Sequence, residues 1–130
     1  MNKEITNVEL AFADQNIDIA TLDSMFEQVP EKFRKHLKDD FVLQVVTAAI
    51  NGDSVPDVAN TNVARHYPWW SIDNKDGGVS GRGLSLFIVV YDYSITYVGP
   101  RHLFAEEEGA EHAAEYFLPQ YEAYHLGYKE

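Results

Sequence analysis

The sequence has no cysteine, few basic residues and no long apolar run. The lack of cysteine in 130 residues excludes a disulfide framework, a thiolate metal site and a cysteine nucleophile. No apolar stretch approaches the roughly 18 residues that cross a bilayer, and the amino-terminal stretch carries charges throughout. We therefore expect a cytoplasmic protein.

Basic residues are outnumbered, with 10 Lys plus Arg against 21 Asp plus Glu and a formal net charge of -11. This excess of acid opposes direct nucleic-acid binding, because affinity for a phosphate backbone comes largely from cation contacts. The charge favours a protein partner with a basic surface, although solubility explains it equally well. We expect no membrane association and no cofactor, and a homodimer is left open.

The first half of the chain is predicted to be helical, within a single domain spanning residues 1–130. Residues 21–53 have helical spacing, and Pro30 suits the start of a fresh helix. We expect two helices here, or one with a break near Lys38, closed after Asn51. Apolar residues recur at one-turn spacing along this segment, namely Phe33 and Leu37, then Val42, Val45, Val46, Ala49 and Ile50.

Three antiparallel strands are predicted for the middle of the chain, at about residues 66–73, 83–91 and 94–103. Asp76-Gly77 is a strong turn signal between the first two. In the second strand, apolar residues occupy both parities: Leu84, Leu86, Ile88 and Val90 on one, and Phe87, Val89 and Tyr91 on the other. This pattern predicts a strand that is covered on both faces.

Three consecutive glutamates precede a predicted C-terminal helix. Its apolar stripe is formed by Ala110, Ala113, Ala114, Phe117 and Tyr121. Glu106, Glu107 and Glu108 fall at the helix start, where free N–H groups and the macrodipole stabilise negative charge. Pro119 is expected to kink or end the helix. The predicted fold class is α+β, with N-terminal helices, a three-stranded antiparallel sheet and a C-terminal helix packed on the sheet.

Catalytic motifs are missing: the sequence has no G-x-S-x-G elbow, no P-loop and no H-E-x-x-H. Glu108, Glu111 and His112 are the only metal candidates, since a carboxylate and an imidazole at helical spacing can share an ion. Asp92 with helix glutamates is the acid/base alternative. The five histidines are interpreted as surface or edge residues: His36, His66, His102, His112 and His125. We predict no catalytic residue, no metal site and no enzymatic activity.

The block "HYPWW" at residues 66–70 is the main interaction candidate. Adjacent strand residues point to opposite faces, so at most one of Trp69 and Trp70 fills the core from one sheet surface. Exposed Trp and Tyr are typical interface anchors. The alternative is that helices on either side cover both indoles. The predicted interaction residues are Tyr67, Trp69, Trp70, Arg101, Glu106, Glu107 and Glu108.

Two blocks, "LKDDFVLQVVTAAINGDSVPDVANTNVARHYPWW" and "YDYSITYVGPRHLFAEEEGAEHAAEYFLPQY", carry a family resemblance. They resemble small proteins of bacteriophages and prophages of gut bacteria, over roughly residues 38–121. Pro100 departs from the Ser that is usual there, and Pro119 interrupts the final helix. The resemblance implies a phage setting and this order of elements, with no assigned activity. The matching positions are Ala49, Asn51, Pro56, Asp57, Tyr67, Pro68, Trp69, Trp70, Val98, Gly99, Arg101 and Phe117.

The favoured functional hypothesis is a phage-encoded acidic accessory protein that binds a host or phage protein, for instance to block a defence system, without catalysis. One alternative is a small-molecule binder that sequesters a nucleotide, with Arg82, Arg101 or Lys75 facing aromatic residues. The other is a metal-dependent enzyme built on Glu108, Glu111 and His112.

Overall fold

A computed structural model describes residues 1–54, 59–60, 62–73, 83–92 and 102–127 of the chain. Helices lie before and after an antiparallel sheet, which confirms the predicted α+β class. None of the helices in these residues is both long and apolar enough to cross a membrane. In chain order the elements are α1 (Val8–Asp14), two 3₁₀ turns (Ile19–Thr21 and Ser24–Phe26), α2 (Glu31–Asn51), β1 (Arg65–Asp73), β2 (Gly83–Asp92), α3 (Glu107–Tyr116) and α4 (Leu118–Leu126).

The long helix α2 is continuous over 21 residues, so the predicted break near Lys38 is wrong. Asp39 and Asp40 do not interrupt it, because side chains one turn away bind their carboxylates: Lys35 Nζ lies 2.6 Å from Asp39 Oδ2, and Gln44 Nε2 donates to Asp40 Oδ2 at 2.6 Å. Opposite charges and polar groups at this spacing stabilise a helix rather than end it.

The two ends of α2 follow the sequence signals. Pro30 immediately precedes the helix, where its missing N–H is not needed. Gly52 ends it with a φ of 59°, a backbone conformation that favours glycine. Between α1 and Pro30 the chain forms the two 3₁₀ turns, so residues 21–29, which were predicted to be helical, do not form an α-helix. All the buried side chains of α2 lie in its second half, at Leu43, Val45, Val46, Thr47, Ala49, Ile50 and Asn51.

The strands β1 and β2 pair in antiparallel fashion, from Arg65 opposite Asp92 to Asp73 opposite Gly83. Their bounds agree with the prediction to within one residue. Phe104 forms an antiparallel bridge with His66 of β1. The Phe104 N–H donates to the His66 carbonyl at 2.8 Å, and the Phe104 carbonyl accepts from the His66 N–H at 2.9 Å. Most of the third predicted strand, residues 94–101, and the Asp76-Gly77 turn lie outside the described residues.

The C-terminal helical segment is divided at Phe117. Helix α3 ends at Tyr116, and α4 begins at Leu118 with Pro119 in its first turn. The predicted interruption at Pro119 is therefore confirmed, and the proline occupies a helix start, where it is tolerated. Phe117 itself is fully buried between the two helices.

The core lies between the helices and the sheet. Asn51 connects them: its side-chain Nδ2 donates to the Leu103 carbonyl at 3.0 Å, and its Oδ1 accepts from the Ala105 N–H at 3.1 Å. These two bonds fix the backbone on either side of Phe104, which is fully buried. The other largest fully buried side chains among the described residues are Phe12, Leu43, Val46, Thr47, Ile50 and Phe117.

Candidate functional site

Trp69 and Ile88 form an exposed cross-strand pair. They lie opposite each other in β1 and β2, and their exposed fractions are 55% and 46%. Side chains directly opposite in an antiparallel pair contact each other on one face of the sheet. The two residues therefore present a joint apolar surface, and the interpretation that helices cover both indoles is wrong for Trp69.

Trp70 takes the opposite role. The strand register shifts between Trp69 and Trp70, and Trp70 packs against the core, with its ring 5.1 Å from that of Tyr121 in α4. The indole Nε1 and the Tyr121 hydroxyl are both buried without a hydrogen-bond partner. Burial raises the pKa of Tyr121. Trp70 thus attaches β1 to α4 while its neighbour faces solvent.

Further apolar side chains of the hairpin are exposed, so the prediction that β2 is covered on both faces is wrong at Leu86, Ile88 and Tyr91, whereas Leu84 is buried. We define the hairpin surface as the exposed pair Trp69 and Ile88, which share one face of the sheet. Ile72, Leu86 and Tyr91 are also exposed, but they lie opposite Leu84, Trp70 and His66 in the register. Tyr67, which we predicted as an interaction residue, is instead buried. Tyr67 and Trp69 are two residues apart and therefore point to the same face of the strand. Their difference in burial follows from position along β1, because Tyr67 lies next to His66, whose backbone pairs with Phe104.

The predicted acidic residues lie at the start of α3, as expected for a helix beginning. Glu107 and Glu108 are exposed in its first turn, and Glu106 occupies the N-cap position. The amino group of Met1 lies 3.1 Å from Glu106 Oε1. Hydrogen bonds from that amino group and from Ser54 lower the pKa of Glu106. Arg101, the remaining predicted interaction residue, lies outside the described residues.

The residues considered as metal or small-molecule ligands have different surroundings in the structure. His112 Nε2 lies 2.7 Å from the Ile5 carbonyl oxygen, so this imidazole holds the N-terminal segment against α3. Glu108 and Glu111 are exposed. Across the described ranges, no three or more His, Asp or Glu side chains are arranged to hold a metal ion. Lys75, Arg82 and the side chain of Asp92 lie outside what the structure describes.

A cluster of histidines around Tyr124 was missed by the sequence analysis. His36 of α2 stacks on the Tyr124 ring at 5.2 Å, His102 meets it edge-on at 5.0 Å, and His125 lies 5.1 Å away. His102 Nε2 is also 2.9 Å from Asp40 Oδ1. The interpretation of the histidines as surface or edge residues is therefore wrong for His102, which is buried.

Two of the histidines, His102 and His125, lie in surroundings that favour the uncharged ring. Burial lowers the pKa of His102 and outweighs the opposing effect of Asp40. Burial, and then the neighbouring His102, lower the pKa of His125. Burial, followed by the charge of Asp40, raises the pKa of Tyr124. At neutral pH, His102 is a neutral hydrogen-bond donor to Asp40.

A histidine paired with an aspartate can act as a general base only if it reaches a substrate. The His102 side chain is 8% exposed, and the Tyr124 ring covers one of its edges. The cluster therefore serves to join α2 to α4. Its traces in the sequence are the one-turn spacing of His36 and Asp40 and the adjacent Tyr124 and His125, because these two pairs and His102 come from distant segments.

No protein-family model, curated protein or solved structure matches the chain. Inferences about function therefore depend on the geometry of these residues.

Proposed function

We propose that the chain is a non-catalytic accessory protein that binds another protein through its hairpin surface. The observation that carries this proposal is the Trp69 indole, which is 55% exposed opposite an exposed Ile88. Tryptophan is among the residues that contribute most to interface affinity, and it does so by filling a pocket on the partner. The neighbouring Trp70 fixes the strand from the other side, so the anchor is held in place before binding.

The proposed partner has a basic surface. The chain carries a net charge of -11, and a field of one sign speeds the encounter with a partner of the opposite sign. An exposed indole face also attracts a Lys or Arg side chain, by about 0.5–1 kcal/mol at an exposed site. Charge and anchor thus favour the same class of partner.

The resemblance to phage-carried proteins supports a host or phage protein as this partner, met in the host cytoplasm. A small, strongly charged protein suits the role of blocking a larger one, because it needs only to occupy a surface. Inhibition of a host defence protein is the role we propose.

Capture of partners by a Trp69→Ser protein tests this proposal. The tagged protein, the Trp69→Ser variant and a Leu10→Ser control are each incubated with host lysate, and retained proteins are identified by mass spectrometry. Leu10 is a matched control, since it is also an exposed large apolar residue but lies on α1. Each retained protein is then purified and titrated directly against all three.

We expect a partner whose affinity falls at least about 30-fold with Trp69→Ser, the equivalent of about 2 kcal/mol at an interface anchor. Leu10→Ser should leave the affinity unchanged, and added salt should slow association. Retained proteins that bind Trp69→Ser and wild type equally well would refute the role of the hairpin surface.

A further inference from the structure

The first half of α2 extends beyond the core and carries an apolar stripe. Phe33, Leu37 and Phe41 recur at four-residue steps, so they share one face of the helix. Phe41 is covered by Phe12 and Phe26, whose rings lie 6.1 and 5.9 Å away. Phe33 and Leu37 continue the stripe into solvent, with exposed fractions of 51% and 44%.

Basic side chains surround this exposed stripe. Of the 10 Lys and Arg residues in the chain, four lie within residues 32–38. Two of them have acidic partners: Lys35 pairs with Asp39, and Lys38 pairs with Asp23. The other two form no ion pair within the described part of the chain: Lys32 lies over the Phe33 ring at 4.9 Å, and Arg34 donates to backbone carbonyls. We call Lys32, Phe33, Arg34 and Leu37 the α2 ledge.

Helix α3 presents a complementary surface. Glu107, Glu111 and Glu115 recur at four-residue steps and are all exposed. Tyr116, the last residue of α3, is 43% exposed. Among the described residues, none of the three glutamates forms an ion pair. The acidic stripe runs about 12 Å along the helix, which matches the length of the α2 ledge to within a turn.

This surface cannot cover the α2 ledge within one molecule. Helix α3 packs against the C-terminal end of α2. Gly109 of α3 faces Phe104 and Ile50, and Ile50 belongs to that end of α2. Phe33 and Ile50 are separated by about 26 Å along the helix axis. The acidic stripe is therefore available only to the ledge of another molecule.

We propose that the α2 ledge of one molecule docks against α3 of a second copy, with Lys32 and Arg34 facing the glutamate stripe and Tyr116 covering Phe33 and Leu37. Basic residues outnumber acidic ones in the ledge, whereas the chain as a whole is acidic. Electrostatic repulsion between two copies is therefore weakest there. The interface joins two different surfaces, and the assembly grows head to tail. Its small size makes the association weak and transient.

The dependence on salt distinguishes this interface from a purely apolar one. Two copies that each carry a charge of -11 repel strongly at about 0.01 M salt, where the Debye length is about 30 Å. At about 0.1 M salt the Debye length is about 10 Å, so the net repulsion is screened while ion pairs in direct contact persist. Near 1 M those pairs weaken as well. Association should therefore be strongest at intermediate salt, whereas an apolar contact strengthens steadily.

Two variants that each disable one surface test the arrangement by sedimentation velocity. Phe33→Ser/Leu37→Ser removes the apolar part of the ledge, and Glu111→Lys/Glu115→Lys reverses the stripe. All four positions are exposed, so both proteins should fold, which circular dichroism checks. Wild type should show an average sedimentation coefficient that rises with concentration beyond that of a dimer, and each variant alone should stay monomeric.

The mixture of the two variants is the decisive sample. Each supplies the surface that the other lacks, so the mixture should form a dimer and stop there. A symmetric contact between two α2 ledges would instead leave Glu111→Lys/Glu115→Lys self-associating. That result, a mixture that stays monomeric, or a wild type that is monomeric at every salt concentration would overturn the proposal. Trp69→Ser should not change self-association, which separates this inference from the proposed partner binding.

Discussion

Asn51→Ala should be one of the most damaging polar substitutions in the chain. The Asn51 side chain is buried at the end of α2 and bonds to backbone on both sides of Phe104, donating to the Leu103 carbonyl and accepting from the Ala105 N–H. Alanine removes both bonds and provides no replacement. Two backbone groups next to a fully buried phenylalanine then lose their partners.

The magnitude follows from the two lost bonds. A buried backbone group that loses its partner costs about 1–3 kcal/mol, and water that reaches the site lowers this cost. For two groups we expect a loss of about 2–4 kcal/mol in the free energy of unfolding. Domains of this size are typically stable by about 5–15 kcal/mol, so the variant stays folded but loses a large part of its margin.

Urea denaturation followed by tryptophan fluorescence measures this loss, because Trp70 is packed in the core. The midpoint should fall while the slope stays constant. Asn62→Ala is the matched control: its side chain is exposed in the loop before β1, and it should change stability by less than about 0.5 kcal/mol. An Asn51→Ala protein that unfolds at the wild-type midpoint would show that these bonds do not hold the structure.

Two further outcomes are expected. Gly109→Ala should destabilise the protein by about 1 kcal/mol in the same urea assay, because the overpacking cost exceeds the gain in helix propensity: the new Cβ would lie 3.2 Å from buried Phe104 Cδ1. A variant more stable than wild type would contradict this. The pKa of His102 is lowered in the folded protein, so the unfolded chain binds more protons around its normal pKa of about 6.5. The contribution of His102 to stability should therefore be full above that pH and should be lost as the pH drops through the folded pKa. The His102→Gln variant can still donate to Asp40 but does not titrate, so it should flatten this decline. Urea midpoints measured at a series of pH values test the expectation.

The parts of the fold that the sequence predicts are those set by local chemistry. Pro30 and Gly52 mark the ends of α2 because their backbone preferences act without tertiary contacts. The runs of β-branched and aromatic residues locate β1 and β2 for a similar reason. The α1 helix was missed, since seven residues with two buried side chains, Ala11 and Phe12, give too short a period to recognise.

The parts that the sequence does not predict depend on how far each neighbouring element extends. Phe33 and Leu37 have the spacing of a core-facing stripe, yet the elements that cover Phe41 end before they reach them. The apolar pattern of β2 likewise suggests two covered faces, while Ile88 remains exposed. Hydrophobic spacing identifies the face of an element but not the length over which another element covers it.

The same limit applies to the two candidate sites. Alternation along β1 predicts that Trp69 and Trp70 differ in burial, but the choice between them depends on α4, which supplies Tyr121 against Trp70. The histidine cluster brings together α2, α4 and the segment that holds His102. His36 and Asp40 are neighbours on α2, and Tyr124 and His125 are neighbours on α4, but local patterning contains no signal that brings the two helices and His102 together.

The packing of Trp70 against the core also supports the proposed role of Trp69 in binding. A two-stranded hairpin alone is at best marginally stable in water, and here it is held by the Phe104 bridge on β1 and by Trp70 against Tyr121. An anchor on a fixed strand loses little conformational freedom when it binds, so more of its contact energy appears as affinity. Asn51, which fixes the backbone around Phe104, therefore supports the hairpin surface indirectly, whereas Trp69 is the residue that contacts the partner in the proposed interaction.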